Sequence, residues 1–459
     1  MTFQNPHKLH LRGVLTSADM RQTRPNYIDV PEGVTQIHFL FKHSPKLGTD
    51  QKRPYQISLM IFDPNGPRFE ISRPDEQGVF INEAQASPGG TPGPIPAGKW
   101  MIFILVHRLL SDDPANYELD ITMSFAPIES EPTVWEVGHV APRGPGWYRG
   151  DLHAHTIHSD GSWDVPELVQ FYRDHQADFM TLSDHNTISG LAQVRSLADD
   201  QLLTMGGIEL STYFGHAVAV GVHRWFDWRK TDGSQISMRE LAQQVIDSGA
   251  LLTIAHPMNP GDPGCCGCRW EHYDMMPGNA LAVEIWNGYW KASDQEALQW
   301  FYHWLNQGHR LTATAGTDLH GPPPPNVRGA LNVVYAQELS EVAIIQAIKA
   351  GHSYISAGPE LILTARTTSG REGMIGDTLP ADETTLTVRW AQGHAGDGLR
   401  LVVDGKVYRE KIVKAAGETQ WTIAAGQANW CNVELRDPDD GLWAVTNPIF
   451  FDRKLASST

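Results

Sequence analysis

The chain has 459 residues, 41% of them hydrophobic and 19% charged, which predicts two or three globular domains with ample material for a core. Its 53 acidic residues against 36 basic ones leave a formal net charge of −17. A surface of that sign repels phosphate backbones and excludes nucleic acid as a bulk partner.

At the start, MTFQNPHKLHLRG lacks the apolar core of a signal peptide, and no later run approaches ~18 apolar residues. A soluble, cytoplasmic protein with no membrane partner is expected. From about Tyr27 to Phe125 come short apolar or alternating runs: VTQIHFLF, QISLMIFD, KWMIFILV and YELDITMSF. Turns rich in Pro and Gly separate them, which predicts a β-sandwich-like domain over residues 1–146. WMIFILV is the most apolar run and predicts a central strand. No ligands or nucleophiles gather here, so this domain is assigned packing or substrate-shaping work and no metal ligand. The linker APRGPGW closes it.

Residues 147–355 change character. The strand-sized runs DFMTLSD, LLTMGGIE, HAVAVGV, LLTIAHP, LAVEIWNG and RLTATAGTD alternate with helical stretches. The clearest helices are VPELVQFYRDHQA, SMRELAQQVIDSG, DQEALQWFYHWLNQG and SEVAIIQAIKAG, several of them stopped by Gly. Such alternation predicts an α/β barrel or a doubly wound sheet. Strand-and-turn patterning returns over residues 356–459 (LILTART, TLTVRW, LRLVVDGKVY, TQWTIAA, WCNVELRD), predicting a second β-sandwich-like domain.

The chemistry gathers in the middle region. RGDLHAHTIHSDG, from Arg149 to Gly161, holds three histidines and two aspartates. Residues two apart in an extended segment point the same way, so His153 and His155 can present both imidazoles to one metal ion. Asp160, carried round by Ser159 and Gly161, can return to the same place with an oxygen ligand. A histidine-rich surface loop would explain this cluster alone, but further clusters sit at the ends of the later strands. They supply Asp184 and His185, then Glu209, then His216, which opens HAVAVGV, then His256, and finally Asp318 and His320. Residues at strand C-termini of a barrel converge on one pocket. With Asp184 set aside, six histidines, two aspartates and one glutamate form a mixed N/O set suited to Zn, Mn or Fe. Nine ligands imply two or three ions, and a carboxylate such as Glu209 can bridge two of them. Asp184 is a candidate to orient His185 or to handle protons. Glu284, though strand-borne, lies outside the ligand pattern and is expected to leave metal content untouched when replaced.

The ordered set HxH…SDG, DH, G-x-E, H, AHP and G-T-D-x-H resembles the PHP (polymerase and histidinol phosphatase) domain over roughly residues 148–355. The resemblance implies a distorted seven-stranded (β/α) barrel with a di- or trinuclear metal centre. It places His153, His155, Asp160, His185, Glu209, His256, Asp318 and His320 on metal-ligand positions, with Glu209 bridging. Between Glu209 and His256, His216 is preferred over His223 as the remaining ligand. His158 lies off the metal pattern and is assigned a substrate or supporting contact. The flanking β domains and the WNG of Trp286–Gly288 resemble the CehA/McbA group of that superfamily, which includes carbaryl hydrolase.

The implied activity is metal-dependent hydrolysis of a small-molecule ester. A metal-bridged hydroxide is the expected nucleophile, with catalytic roles for Glu209, Asp184 and His158. Phosphate esters are the substrates the family implies, with a carboxylic ester or carbamate as the alternative. Cys265, Cys266 and Cys268 read as an active-site lid or an extra metal site, and the four cysteines do not form the even spread of a disulfide framework. Trp286 and Trp290 are candidates for an aromatic pocket, while Trp300 and Trp304 share one packing helix. The run Pro322–Pro325 stiffens the loop after His320. Arg149, Arg269, Lys291 and Arg328 are cations available to an anionic substrate.

Overall fold

The computed structural model describes residues 5–46, 55–71, 78–109, 114–232, 235–262, 264–324 and 329–455, so Pro325 and Arg328 lie outside the described residues. The N-terminal runs form two four-stranded antiparallel sheets among the described residues. One is ordered His7–Leu15, Ala115–Ser124, Gln36–Ser44, Val79–Asn82, and the other Gln22–Val30, Gly98–Arg108, Gln56–Asp63, Gly66–Ile71. Their facing sides bury Ile37, Phe39, Ile61, Trp100, Ile102 and Ile104 in one core. Gly98–Arg108, which contains WMIFILV, is an interior strand as its composition predicts. His7–Leu15 and Gln22–Val30 escape the sequence reading because both are edge strands with most residues in contact with water. Their polar composition leaves little period-two signal.

After described residues 125–145, which hold no helix or strand, comes the ligand-bearing region. Its strands are β1 (Gly146–Asp151), β2 (Phe179–Leu182), β3 (Leu203–Thr212), β4 (Gly215–Val220), β5 (Leu251–Ile254), β6 (Ala282–Asn287) and β7 (Thr312–Gly316). They lie side by side in chain order. β2 to β6 are buried throughout, which is why they read as continuous apolar runs. Helices α1 (Val165–Asp174), α2 (Leu191–Ser196), α3 (Met238–Asp247) and α4 (Ala292–Asn306) cover the sheet. α1 begins at a reciprocal cap between Asp164 and Glu167 and buries Val165, Leu168, Val169 and Tyr172. α3 uses Ser237 and Glu240 in the same way.

The region departs from strict strand–helix alternation. β3 and β4 form a hairpin, so β4 runs antiparallel to both neighbours. Among the described residues no helix lies between β5 and β6. Nor does a ladder run from β7 back to β1. Instead the two ends meet at a single bridge, Ala154 with Leu319, where the Asp318 amide donates to the His153 carbonyl at 2.9 Å. Below it, the Asn332 side chain takes the place of a ladder, bonding both the amide and the carbonyl of Ala315 at 3.0 and 2.7 Å.

On the other side of β1 lie β8 (Leu331–Ala336) and β9 (Ser353–Ser356). β9 pairs with Leu442–Thr446, so one fifteen-stranded sheet among the described residues crosses the boundary expected at residue 355. A separate four-stranded sheet, built on Glu360–Thr367 and Thr384–Ala391, packs over the C-terminal part and shares its core. LRLVVDGKVY, read as one run, is a hairpin turned at Asp404–Gly405.

The N-terminal sandwich is seated on the ligand-bearing region. Met60, Phe62 and Leu105 share a core with Ile208, Trp228 and Ile254. At about 1.5–3 kcal/mol per buried side chain, those three contribute roughly 5–9 kcal/mol to the docking. Arg21 adds ion pairs to Asp262 (2.7 Å) and Glu271 (2.9 Å), and the Arg229 guanidinium lies 4.1 Å over Phe62 and 4.3 Å over Phe103. No helix among the described residues is long and apolar enough to cross a membrane.

Candidate metal centre

Asp151 ends β1 and anchors the ligand-bearing segment beyond it. Its carboxylate accepts from the amides of Leu152, His153 and Thr317 and from the hydroxyls of Tyr172 and Thr317, tying β1, β7 and α1 together. His153 and His155 then leave on the same side, as a two-residue spacing requires. His153 Nε2 lies 3.2 Å from Glu209 Oε2 and 3.4 Å from Asp318 Oδ1, and His155 Nε2 lies 3.3 and 3.0 Å from the same atoms. The chain turns back through Thr156–Gly161, where a Cβ on Gly161 would sit 2.8 Å from Thr156 backbone atoms. This turn brings Asp160 Oδ1 to 3.1 Å from His320 Nε2 and 3.5 Å from His185 Nε2.

Glu209, wholly buried on β3, is the hub. Oε2 faces His153, His155 and His185 Nδ1 (3.0 Å), while Oε1 faces His216 Nδ1 and His256 Nε2, both at 3.1 Å. His256 and Asp318 take positive φ values of 28° and 52°, a strained setting for residues with a Cβ that costs about 1–3 kcal/mol each. Three overlapping ligand groups result: His155, Asp160, His185, His320; His153, His155, Glu209, Asp318; and His185, Glu209, His216, each with its ligand atoms within 4.8 Å of one another. The nine expected ligands therefore lie together, eight in these groups and His256 against Glu209. His223 is exposed, 3.5 Å from Glu341, and stands apart.

The donor set fits divalent cations. His153 Nε2, His155 Nε2 and Glu209 Oε2 are buried and have no hydrogen-bond partner, although they converge. Several rings are also fixed from behind. His153 Nδ1 is 3.0 Å from Glu284 Oε1, His256 Nδ1 is 3.1 Å from the Cys268 carbonyl, and His320 Nδ1 is 2.8 Å from the Asp318 carbonyl. Such partners set the tautomer and leave the other nitrogen free to ligate. Burial opposes charge on His185, but Glu209 and Asp160 outweigh it and raise its pKa to about 10. Burial likewise opposes charge on His153, whose pKa Glu209, Asp318 and Glu284 still hold well above the ordinary value. Burial and the charges of His185 and His320 lower His155 to about 4. Burial would raise Glu209, yet His185, His153 and His216 hold it well below the usual carboxylate range.

No protein-family model and no curated protein matches the sequence. Among solved structures it is similar to a two-domain protein from Bacteroides vulgatus containing a predicted PHP-like metal-dependent phosphoesterase. That likeness has 17% identity and a TM-score of 0.39, covering 69% of this chain and 98% of that one. A second, predicted as a metal-dependent phosphoesterase from Bifidobacterium adolescentis, has 17% identity and a TM-score of 0.30, covering 39% of this chain and 89% of that one.

A cavity of about 580 Å³ opens over the centre, lined by Asp160, His185, Glu209, His216, His256 and Asp318 among others. A larger one of about 800 Å³ holds Arg149, Tyr289 and Lys291 but touches the centre only through Asp318 and His320. The smaller cavity is thus the direct approach to the ligands. Arg269 instead pairs with Glu296 at 3.3 Å.

Several expectations change. Asp184 does not orient His185: its carboxylate accepts from the Thr156 amide (2.7 Å) and hydroxyl (2.7 Å) and the Ser159 hydroxyl (2.6 Å), so it holds the turn that delivers Asp160. The group nearest His185 Nδ1 is the Ser211 hydroxyl at 2.5 Å. His158, expected off the metal pattern, is outside all three ligand groups, and it turns towards Ser189 (Nδ1 to Oγ 2.8 Å) and the Gly89 amide of the sandwich (3.4 Å). Cys265 and Cys268 form a disulfide and Cys266 is buried, which removes the extra metal site. Trp286 is buried in the core with the partly buried Trp290 against it, so Trp286 serves packing and not a substrate pocket.

Glu284 is the residue the sequence reading passed over. Besides His153 it accepts from the His256 amide (2.9 Å) and from Asn287 Nδ2 (3.1 Å), and Asn287 also reaches Asp318 Oδ2 at 3.3 Å. Gly316 on β7 makes room for it, since a Cβ there would collide with Glu284 Oε1 and His153 Cβ. The available signal was an acid inside an apolar strand, AVEIW, where a buried charge needs a partner.

Proposed function

We propose that the chain is a metal-dependent hydrolase of PHP type, a phosphoesterase whose distorted barrel is the seven-strand run joined at the Ala154–Leu319 bridge. The observation that carries this reading is Glu209: its two carboxylate oxygens face separate imidazole sets in a buried site with unpartnered ligand atoms. Glu209 would hold two cations between these imidazole sets, and His155, Asp160, His185 and His320 would hold a third. Bound Zn, Mn or Fe ions would acidify a water and polarise the ester under attack.

The chain's own residues supply the rest. Glu284 and the backbone carbonyls at Cys268 and Asp318 fix the imidazole rings, so ligand nitrogens are aimed before anything binds. Asp184 fixes Asp160 through the Thr156–Gly161 turn. The seated sandwich narrows access to the 580 Å³ cavity, which favours a small-molecule ester. The test is turnover of 4-nitrophenyl phosphate, bis(4-nitrophenyl) phosphate and an aryl carbamate by protein stripped and then reloaded with Zn, Mn or Fe. Metal-dependent phosphate ester turnover is expected. Turnover of the carbamate alone would transfer the assignment to the carbaryl-hydrolase-like alternative, and turnover of none would reject a hydrolase.

A further inference from the structure

The cavity over the candidate metal centre has a second wall, none of whose described residues falls in the three ligand groups. Lys46, Gln56, Ser58, Glu70 and His107 line it together with Asp160, His185 and Glu209, and all five come from the N-terminal sandwich. The wall is fixed in place: Arg108, next to His107, donates to the Gly264 carbonyl at 2.6 Å, and the Arg21 ion pairs and the shared core hold the rest. His107 is held on two sides. Its Nε2 is 2.9 Å from the hydroxyl of buried Ser58, and its ring meets Tyr213 edge-on with centroids 5.3 Å apart. Nδ1 is the ring nitrogen not taken by Ser58. The ring lines the same cavity as His185 and His216.

Glu70 is 5% exposed, lines the same cavity, and has an Oε2 with no hydrogen-bond partner. A buried carboxyl oxygen without a donor is unfavourable unless a bound group supplies one. A flat aryl group has no such donor, whereas an alcohol bearing hydroxyls does.

We propose that this wall binds the leaving group of the ester, and that the leaving group is a hydroxyl-bearing alcohol, with one hydroxyl donating to Glu70 and another bonded to His107. The substrate class is then a phosphate monoester of a small polyol, an inference that rests on reading the centre as a phosphoesterase. Ser58 acts through His107 as a positioning residue.

The experiment uses full-length, metal-loaded protein and two non-hydrolysable probes that differ only in hydroxyls: 2,3-dihydroxypropylphosphonate and propylphosphonate, titrated calorimetrically. Burial keeps the Glu70 carboxyl and the His107 ring neutral, so wild type is expected to prefer the dihydroxy probe by about three- to tenfold, the scale of one neutral hydrogen bond. His107→Ala and Glu70→Ala should each reduce that preference severalfold at wild-type metal content, and His107→Gln should keep part of it. Ser58→Ala should lower it less than His107→Ala. Equal affinities in wild type, a preference that survives both alanine variants, or failure to bind either probe would overturn the proposal. Should an alanine variant fail to fold, the wild-type preference still decides. Phosphate ester turnover without a hydroxyl preference refutes the wall alone. A hydroxyl preference without any phosphate ester turnover refutes the phosphoesterase reading alone.

Discussion

Glu209→Gln tests the centre most directly. Five imidazole nitrogens lie around this carboxylate, from His185 at 3.0 Å through His216 and His256 at 3.1 Å to His153 at 3.2 Å and His155 at 3.3 Å. Glutamine keeps the volume but removes the charge, and it replaces one oxygen with an NH2 that cannot approach a cation. At ~4 Å and an effective dielectric near 20, each unit of charge on the cation loses about 4 kcal/mol of gross attraction. Compensation by water and neighbours reduces this to the ~2.7–4 kcal/mol typical of a lost electrostatic stabiliser, or about 10²–10³ in rate. The variant should also lose at least one metal equivalent. Elemental analysis after gel filtration, turnover of 4-nitrophenyl phosphate and a melting curve form the assay. Glu284→Gln is unsuitable as the control because Glu284 holds His153 and His256. Glu372→Gln serves instead: its carboxylate is 72% exposed and pairs only loosely with Arg366 at 3.7 Å. Normal metal content and near-normal turnover in a folded Glu209→Gln protein would refute a multinuclear centre bridged by this residue.

Other consequences can be measured independently. Glu284→Gln should weaken metal binding by about 10–100-fold, the scale of a lost orienting partner, and a metal titration that matches wild type would remove its supporting role. In the metal-free protein His185, with a pKa of about 10, and His153, raised in the same direction, both carry protons at pH 7. His256 and His320 are raised in the same direction, so cation binding must release protons from this set and affinity should rise with pH above neutrality. Calorimetry in buffers of different ionisation enthalpy reads this, and pH-independent affinity between 7 and 9 would contradict it. Replacing Cys265 and Cys268 together with serine should leave metal content unchanged and cost at most about 2 kcal/mol, given the short loop they close. Alkylation of the unfolded, unreduced wild type should find two thiols, Cys266 and Cys431, and four would rule out the disulfide.

What the sequence alone determined was the chemistry of the candidate ligands and their order along the chain, whereas Glu209, read as a strand end, lies inside β3. His153-x-His155 is legible because a two-residue period in extended backbone sets side-chain direction locally. The helices at Val165–Asp174 and Met238–Asp247 are legible because their apolar faces and reciprocal caps are local patterns. Tertiary structure decided everything that depends on which distant segments meet. His216 rather than His223 enters the centre because the β3–β4 hairpin sets Ser211 opposite His216, beside Glu209. Glu284 supports the centre because β6 carries it behind His153, which lies 131 residues away in the chain. Asp184 turned from His185 to the Thr156–Gly161 turn because the nearest unsatisfied donors in the folded chain were there. The sandwich looked chemically silent in sequence, since Ser58, Glu70 and His107 are scattered over three strands with no motif between them. Sheet pairing gathers those three side chains, and only the docking of Met60, Phe62 and Leu105 into the neighbouring core sets them over the candidate metal centre. Burial and long-range contact, which no local pattern encodes, made that difference.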